Sequence, residues 1–201
     1  MADNLFFRMV KASTFSCGTS LSSKMKISFL SLKIYSLFCL FQNAPYLVER
    51  KQLAITDAVL DALSKAGYEK NVMIQSTNSS VLMKFKGRNN YKLVYKVDES
   101  IRDALDAAIE DIKRFANSVV VSKSSVFPDN SLFVIDSTDV VPKLQSAGLP
   151  VYVELFSNEF VSQAWDFFSD ANVEINSYVL GANISGVVTD FPLTSARYKS
   201  K

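Results

Sequence analysis

The sequence predicts a parallel α/β fold in which strands and helices alternate along the chain. From Gln42 onward, short apolar runs alternate with helical patterns at regular spacing, as in folds with a parallel sheet. The run Ser118–Ser122 has three consecutive valines, which is typical of a strand covered by helices on both faces. The segment 103–115 instead repeats its apolar residues at helical spacing, so it predicts a helix that packs against the sheet.

Five strands are predicted after the first forty residues. Short apolar runs bounded by turn residues predict them at 71–75, 92–97, 118–122, 151–156 and 186–189. A further apolar run at 35–41 indicates a possible sixth strand.

The connecting helices are predicted from their spacing and their end signals. The first, 51–66, ends at Gly67, and Asn78 or Ser79 is suited to cap the start of the next, at 81–85. Further helices are predicted at 103–115, 138–145, 159–170 and 196–199. The aromatic residues of 159–170 are expected to pack between this helix and the sheet.

Composition narrows the functional classes. The chain has 201 residues, 48% hydrophobic and 21% charged, which suits one globular domain or part of a larger one. A net charge of +2 gives no strong attraction to nucleic acid, so the lysines between Lys84 and Lys96 are interpreted as a solvated face. Cys17 and Cys39 form no zinc or disulfide pattern. Because the chain has no histidine, any metal would be a hard ion with oxygen ligands.

Several phrases of the sequence carry a resemblance to a known family. The closing run GVVTDFP places Thr189 and Asp190 at the end of a strand, and the phrases NVMIQSTNSSVLMKFK, YKLVYKVDESIRDALDAAIEDIKRFANSVVVSKSSVFP and LPVYVELFSNEFVSQAWDFFSDA precede it. Together they resemble the glycerophosphodiester phosphodiesterase family, and within it the plant glycerophosphodiester phosphodiesterase-like (SHV3-like) subgroup. The resemblance extends over residues 42–198. It implies a (β/α)8 TIM barrel. This chain would hold the C-terminal part of it, residues 40–201, with the first two strands missing.

The resemblance also implies an activity and a cofactor. Members of the family hydrolyse glycerophosphodiesters to an alcohol and glycerol 3-phosphate. They use Ca²⁺ or Mg²⁺ bound by three carboxylates, with a histidine pair as general acid and base. This chain has no histidine, and Gln42 stands where a metal-binding Glu of the family would be. An amide oxygen carries no charge, so we expect this chain not to bind the ion and not to be active alone.

Strand ends supply the other candidate site residues, since the C-terminal ends of barrel strands face the active site. The mouth of the predicted barrel would be lined by Gln75, Ser76, Tyr95, Lys96, Lys123, Glu154, Thr189 and Asp190. Of these, Gln75, Lys123, Glu154 and Asp190 are the substrate-facing candidates. Glu154 and Asp190 could form a catalytic carboxylate pair, although a structural role is favoured for each. Lys123 could meet a phosphate, but capping a helix or facing solvent is favoured.

The first 39 residues differ from the rest and are treated as a non-family segment. They are basic and rich in serine, and their apolar run ISFLSLKIYSLFCLF is shorter than the about 20 residues that span a membrane. A signal peptide, an organelle transit segment and a non-native start are all open, and the last is favoured because no targeting pattern is complete. By family we expect the full-length protein to be secreted or at the plasma membrane, with membrane or cell-wall association. In this chain we find no convincing signal or anchor.

Two functions from different classes follow. The first is metal-dependent hydrolysis of a glycerophosphodiester substrate by the parent family, with this chain inactive alone. The second is a non-catalytic protein of the cell surface or cell wall that keeps the barrel fold.

Overall fold

The chain folds into a closed barrel of parallel strands. The structure is a computed structural model that describes residues 7–10, 37–41, 57, 60, 65, 72–87, 91–130, 132–159 and 163–199. These residues form seven strands in the barrel order β1 to β7. The strands are β1 Phe7–Val10, β2 Leu37–Phe41, β3 Val72–Ser76, β4 Lys92–Lys96, β5 Ser118–Ser122, β6 Val151–Phe156 and β7 Gly186–Thr189.

The predicted fold class is confirmed, since every strand pairs in parallel with its sequence neighbours. The described strands number seven, one fewer than a complete (β/α)8 barrel has. All five predicted strands are present, and the possible strand at 35–41 is β2. Strand β1 was not predicted. It pairs with both β2 and β7, through Arg8 beside Leu37 and Thr189, and closes the barrel from within the segment 1–39. The domain boundary between 39 and 40 stays a prediction.

Short helices connect the strands and cover the barrel. They are α1 Ser79–Phe85, α2 Asp106–Lys113, α3 Val140–Ser146, α4 Ala171–Asn176 and α5 Pro192–Lys199. Helix α1 begins at Asn78, whose side chain accepts a hydrogen bond from the Ser80 amide at 2.8 Å, so this predicted cap is confirmed. Within the predicted helix 51–66, the described residues Asp57, Leu60 and Lys65 are helical. None of the helices in the described part of the chain has the length and hydropathy of a membrane span.

The helix predicted at 159–170 is wrong over its described residues. Only a 3-10 turn forms there, Trp165–Phe167, and Phe168 follows it with a left-handed φ of 53°. The side chain of Asp170 instead accepts a hydrogen bond from the Asn172 amide at 2.8 Å and starts α4. Phe167 is buried, but Trp165 and Phe168 are 61% and 82% exposed, so among the three aromatics that the structure describes here the expected packing holds for Phe167 only.

The core has an inner and an outer layer. Side chains alternate between the two sides of each strand. The inner layer fills the lumen of the barrel with Met73, Val94, Val120, Tyr152 and Val188. The outer layer packs the alternate positions, such as Val119 and Val121, against the helices. The same alternation turns the strand residues two positions beyond the inner layer toward the lumen, at the C-terminal end of the barrel.

Candidate functional site

Three polar side chains meet across the lumen at the C-terminal end of the barrel. The ammonium of Lys96 lies 2.6 Å from Glu154 Oε1, and Gln75 Nε2 donates a hydrogen bond to Glu154 Oε2 at 3.1 Å. These residues belong to β4, β6 and β3, and β5 lies between β4 and β6 in the barrel, so the contacts cross the lumen rather than follow one edge. We call Gln75, Lys96 and Glu154 the lumen cluster.

The position of the lumen cluster follows from the period of the strands. Met73, Val94 and Tyr152 belong to the inner core layer, and the lumen cluster lies two residues further along each of the same strands. Two residues is one full period of a strand, so the side chains point the same way. The apolar layer therefore forms the floor beneath the polar cluster.

The lumen cluster is electrically balanced and has one unused acceptor. The side chains of Lys96 and Glu154 are 18% and 13% exposed, and Gln75 is fully buried. Gln75 Oε1 is buried with no hydrogen-bond partner among the described residues. Since buried polar atoms are nearly always satisfied by protein, water or ligand, this oxygen can accept a hydrogen bond from a bound hydroxyl. Lys96 can donate to one anionic oxygen, and Glu154 can accept from further hydroxyls.

The phenol beneath the lumen cluster keeps its proton at neutral pH. Tyr152 is buried in the inner core layer. Burial disfavours the phenolate and raises the pKa of Tyr152 to about 12. The phenol is therefore a weak acid, and its ring belongs to the apolar floor beneath the lumen cluster.

Lys123 lies outside the lumen cluster. It follows β5 and binds Glu174 of α4, with 2.7 Å between its Nζ and Glu174 Oε1. Glu174 is only 1% exposed, and its burial raises the pKa of the carboxyl, against the lowering effect of Lys123. The ammonium also lies 5.7 Å from the centroid of the Phe156 ring. From the sequence, Lys123 was expected to cap a helix or to face solvent. Its ion pair with the buried Glu174 differs from both expectations. It joins the end of a barrel strand to the outer helix.

Of the four substrate-facing candidates, two come together. Gln75 and Glu154 are hydrogen-bonded in the lumen cluster, whereas Asp190 is solvent-exposed at the end of β7. The carboxylate of Glu154 is bound by Lys96 and Gln75, and a pairing with Asp190 stays a prediction. Thr189 has a structural role, since its hydroxyl donates to the Phe156 carbonyl at 2.7 Å and accepts from the Phe191 amide at 2.9 Å.

Two residues that make ion pairs near the barrel mouth were not singled out from the sequence. Lys96 was placed at the barrel mouth only as one strand end among several, and its contact with Glu154 depends on the stagger of strands that are distant along the chain. Glu174 was not considered. Its signal is a charged residue between Val173 and Ile175, the pattern of a carboxylate buried on an apolar helix face.

The described residues do not fit the metal of the resembled family. Among them, no group of three or more His, Cys, Asp or Glu side chains could hold an ion. The one carboxylate of the lumen cluster is bound by an ammonium and an amide. A hard divalent ion needs several oxygen ligands, usually with charge. Gln42 lies outside the described residues, so its role stays a prediction.

Comparisons with known proteins agree with the phrases of the sequence. The profile of the Glycerophosphoryl diester phosphodiesterase family matches residues 33–194. Glycerophosphodiester phosphodiesterase GDPDL3 of Arabidopsis thaliana is 54% identical over 184 residues, which cover 90% of this chain and 24% of that protein. GDPDL1 of the same plant is 58% identical over 163 residues, which cover 79% of this chain and 21% of the relative.

The fold also resembles that of solved structures. A glycerophosphodiester phosphodiesterase from Parabacteroides distasonis superposes with a TM-score of 0.53 at 13% identity, over 84% of this chain and 59% of that one. At this identity the likeness shows the barrel fold alone. The chain spans under a quarter of the length of the two Arabidopsis relatives. Since the family profile matches most of its residues, the chain belongs to the glycerophosphoryl diester phosphodiesterase family, in the plant glycerophosphodiester phosphodiesterase-like branch.

Proposed function

We propose that the lumen cluster binds a glycerophosphodiester and that this chain alone does not hydrolyse it. The parent activity is metal-dependent hydrolysis to an alcohol and glycerol 3-phosphate, which we assign to complete proteins of this kind. The observation that carries the proposal is the contact of Lys96 and Gln75 with Glu154 across the mouth of the barrel. That end of a parallel barrel is where ligands bind.

The charge of the lumen cluster supports a phosphodiester rather than a phosphate monoester. The ammonium of Lys96 faces two carboxylates, Glu154 at 2.6 Å and the exposed Asp98 at 3.8 Å, so a dianion would be repelled more strongly than a singly charged ligand. A phosphodiester carries a single negative charge, which Lys96 can bind. The glycerol hydroxyls can then donate to Glu154 and to the free oxygen of Gln75.

The absence of turnover is proposed from the chemistry that the residues can supply. Cleavage of the ester needs a group that accepts a proton and a group that donates one, and each contributes roughly 10²–10⁴-fold to the rate. The sequence contains no histidine. The carboxylate of Glu154 is already bound by Lys96 and Gln75, and burial, which raises the pKa of Tyr152 to about 12, makes its phenol a weak acid. In this chain the barrel therefore acts as a binding module.

Two assays on the 201-residue chain test the proposal. Calorimetric titration with glycerophosphoglycerol, whose head group is uncharged, is expected to show saturable binding. A coupled assay for released glycerol 3-phosphate is expected to show none, with Ca²⁺ or Mg²⁺ present. Absence of binding would overturn the first half of the proposal. Turnover close to that of a complete family member would overturn the second half.

Substitutions at one lysine locate the binding. Lys96→Met is expected to weaken binding by about tenfold or more, the effect of one lost hydrogen bond to a charged group. Lys96→Arg keeps the charge and is expected to retain most of the affinity. Lys113→Met on the outer helix α2 is the matched control and should change nothing. Equal affinities for all three variants would place the ligand elsewhere.

A further inference from the structure

Two loops at the C-terminal end of the barrel expose large apolar side chains. One follows β5, where Phe133 is 46% exposed, and the other follows β6, where Trp165 and Phe168 are 61% and 82% exposed. Loops that follow barrel strands lie on the face that carries the active site. These rings therefore border the same end of the barrel as the lumen cluster. We call Phe133, Trp165 and Phe168 the aromatic rim.

Contacts between the two loops hold the aromatic rim in place. The rings of Phe133 and Trp165 lie 5.7 Å apart between centroids, at an angle of 64°. The Trp165 amide donates to the Leu132 carbonyl at 2.7 Å, and the Val134 amide donates to Asp166 Oδ2 at 2.7 Å. A rigid pair of exposed rings loses little conformational freedom when a ligand binds.

The turn that carries the indole is anchored in the core. Phe167 is 6% exposed, and its ring lies 6.1 Å from that of Tyr178. The neighbours Trp165 and Phe168 are thereby turned outward. The conformation of the turn thus determines that these two rings are exposed.

The charge around the aromatic rim indicates the sign of its ligand. The segments 128–139 and 157–172 contain no lysine or arginine, although the chain as a whole has a net charge of +2. Their ionisable residues are all acidic, namely Asp129, Asp136, Asp139, Glu159, Asp166 and Asp170. Such a field attracts a cation and repels nucleic acid and anionic lipid surfaces.

We propose that the aromatic rim binds a quaternary-ammonium head group, and this rests on the proposed function for the rest of the ligand. A cation over an aromatic face is attracted by the negative charge of the ring, and indole is the best of the rings for this. A quaternary ammonium cannot donate hydrogen bonds, so a site made of ring faces and nearby carboxylates leaves none of its groups unpaired. Phe133 and Trp165 pack edge to face and are 46% and 61% exposed, so ring surface beside their contact is available to a cation.

The single tryptophan of the chain makes the proposal directly measurable. Because Trp165 is the only tryptophan, its fluorescence reports on the aromatic rim alone. Choline is expected to give a saturable change, with an affinity about fivefold or more above that of its uncharged isostere 3,3-dimethylbutan-1-ol. Equal affinity for the two compounds would show contact with apolar surface only and overturn the proposal. Absence of any saturable change would overturn it as well.

Two variants keep the tryptophan and change the site. Phe133→Leu keeps apolar area and removes a ring, and Asp166→Asn keeps an oxygen for the Val134 amide and removes a charge. Each is expected to weaken choline binding about fivefold while affinity for the isostere stays the same. Asp111→Asn on α2 is the control for charge removal. Unchanged choline affinity in both rim variants would contradict the assignment.

The outcome is independent of the lumen cluster, because choline has no phosphate and no glycerol. Binding of choline without binding of glycerophosphoglycerol would support the aromatic rim and overturn the proposed function. The reverse result would overturn the aromatic rim alone.

Discussion

The ion pair between Lys123 and Glu174 is expected to make Lys123→Met strongly destabilising. Glu174 is 1% exposed, and its second oxygen, Oε2, has no hydrogen-bond partner among the described residues. Lys123 is thus the main charge that compensates a buried carboxylate, at 2.7 Å. Methionine retains the apolar stem of the lysine and removes the ammonium, so the variant isolates the loss of charge.

The expected loss in free energy of unfolding is about 3 kcal/mol at neutral pH. Removing one partner of a buried pair typically costs about 3–5 kcal/mol, because the other charge is left uncompensated. The low end applies since the side chain of Lys123 is 21% exposed and its charge is partly solvated. A smaller contribution comes from the contact of the ammonium with the Phe156 ring, at 5.7 Å from its centroid.

The effect should depend on pH in a defined direction. Burial raises the folded-state pKa of Glu174 above its ordinary value of 4.5, so the folded protein favours the protonated carboxyl. A group whose pKa is raised in the folded state contributes stability that is fully present at pH values below its unfolded-state pKa. This stability is lost as the pH rises through the folded-state pKa. Lys123→Met removes the opposing effect of the ammonium and raises this pKa further. The cost of the substitution should therefore be largest near pH 7.5 and smaller near about pH 5.

Urea unfolding of the chain at these two pH values measures the prediction. Lys113→Met is a matched control, since Lys113 binds Glu110 at a similar 2.8 Å but with side chains 40% and 64% exposed. An exposed pair of this kind contributes about 0.5 kcal/mol or less. Adding Glu174→Gln to Lys123→Met should recover stability, because no charge is then buried. The reasoning is refuted if the two lysine variants cost the same, or if the loss for Lys123→Met does not shrink at the lower pH.

Three further predictions concern stability and metal binding. Asn78→Ala removes the cap of α1 and should lower the free energy of unfolding in urea by about 1 kcal/mol. Ser79→Ala leaves the cap in place, so as a control it should leave the free energy of unfolding unchanged. Thr189→Val keeps the shape of a buried side chain but leaves the Phe156 carbonyl without its donor, so it should cost about 2 kcal/mol, and a neutral result would contradict the structural role of this hydroxyl. Micromolar Ca²⁺ should leave the melting temperature of the chain unchanged, and a clear rise in this temperature would contradict the interpretation of Gln42 as a weak ligand. Gln42→Glu should strengthen calcium binding in a calorimetric titration.

Local patterns predicted most of the strands because their information is contained in a few adjacent residues. The valines of Ser118–Ser122 and of Gly186–Thr189 favour extended backbone and are buried on both faces, so no distant contact is needed to identify them. Strand β1 is different. Its four residues include Arg8 and show no clear apolar pattern, and their position is determined by pairing with β2 and β7, far along the chain.

In the candidate site, too, local features could be predicted from the sequence and contacts between distant strands could not. Gln75 and Glu154 were predicted as strand-end residues at the barrel mouth, and they lie near the C-terminal ends of β3 and β6; their role toward a substrate stays a prediction. The contact between their side chains could not be predicted from the sequence, since it depends on how β3 and β6 are staggered across the barrel. The helix prediction for 159–170 was wrong for another reason. Its aromatic residues were expected to pack between a helix and the sheet, but Phe168 adopts a left-handed φ of 53° and Asp170 starts α4, so no regular helix continues there.

Our proposal that this chain binds a ligand without hydrolysing it depends on its polar lumen and on its lack of histidine. If the barrel served only as a structural support, an apolar filling at the positions of Lys96 and Glu154 would be at least as stable, because buried ion pairs are often no better than well-packed hydrophobic residues. The described structure instead has a paired charge and a buried acceptor without a partner at the end of the barrel where ligands bind. The presence of such groups at this end of the barrel is easier to explain by a bound ligand than by folding. A zwitterionic glycerophosphodiester would satisfy both proposals, since it has hydroxyls and one negative charge at one end and a cationic apolar group at the other.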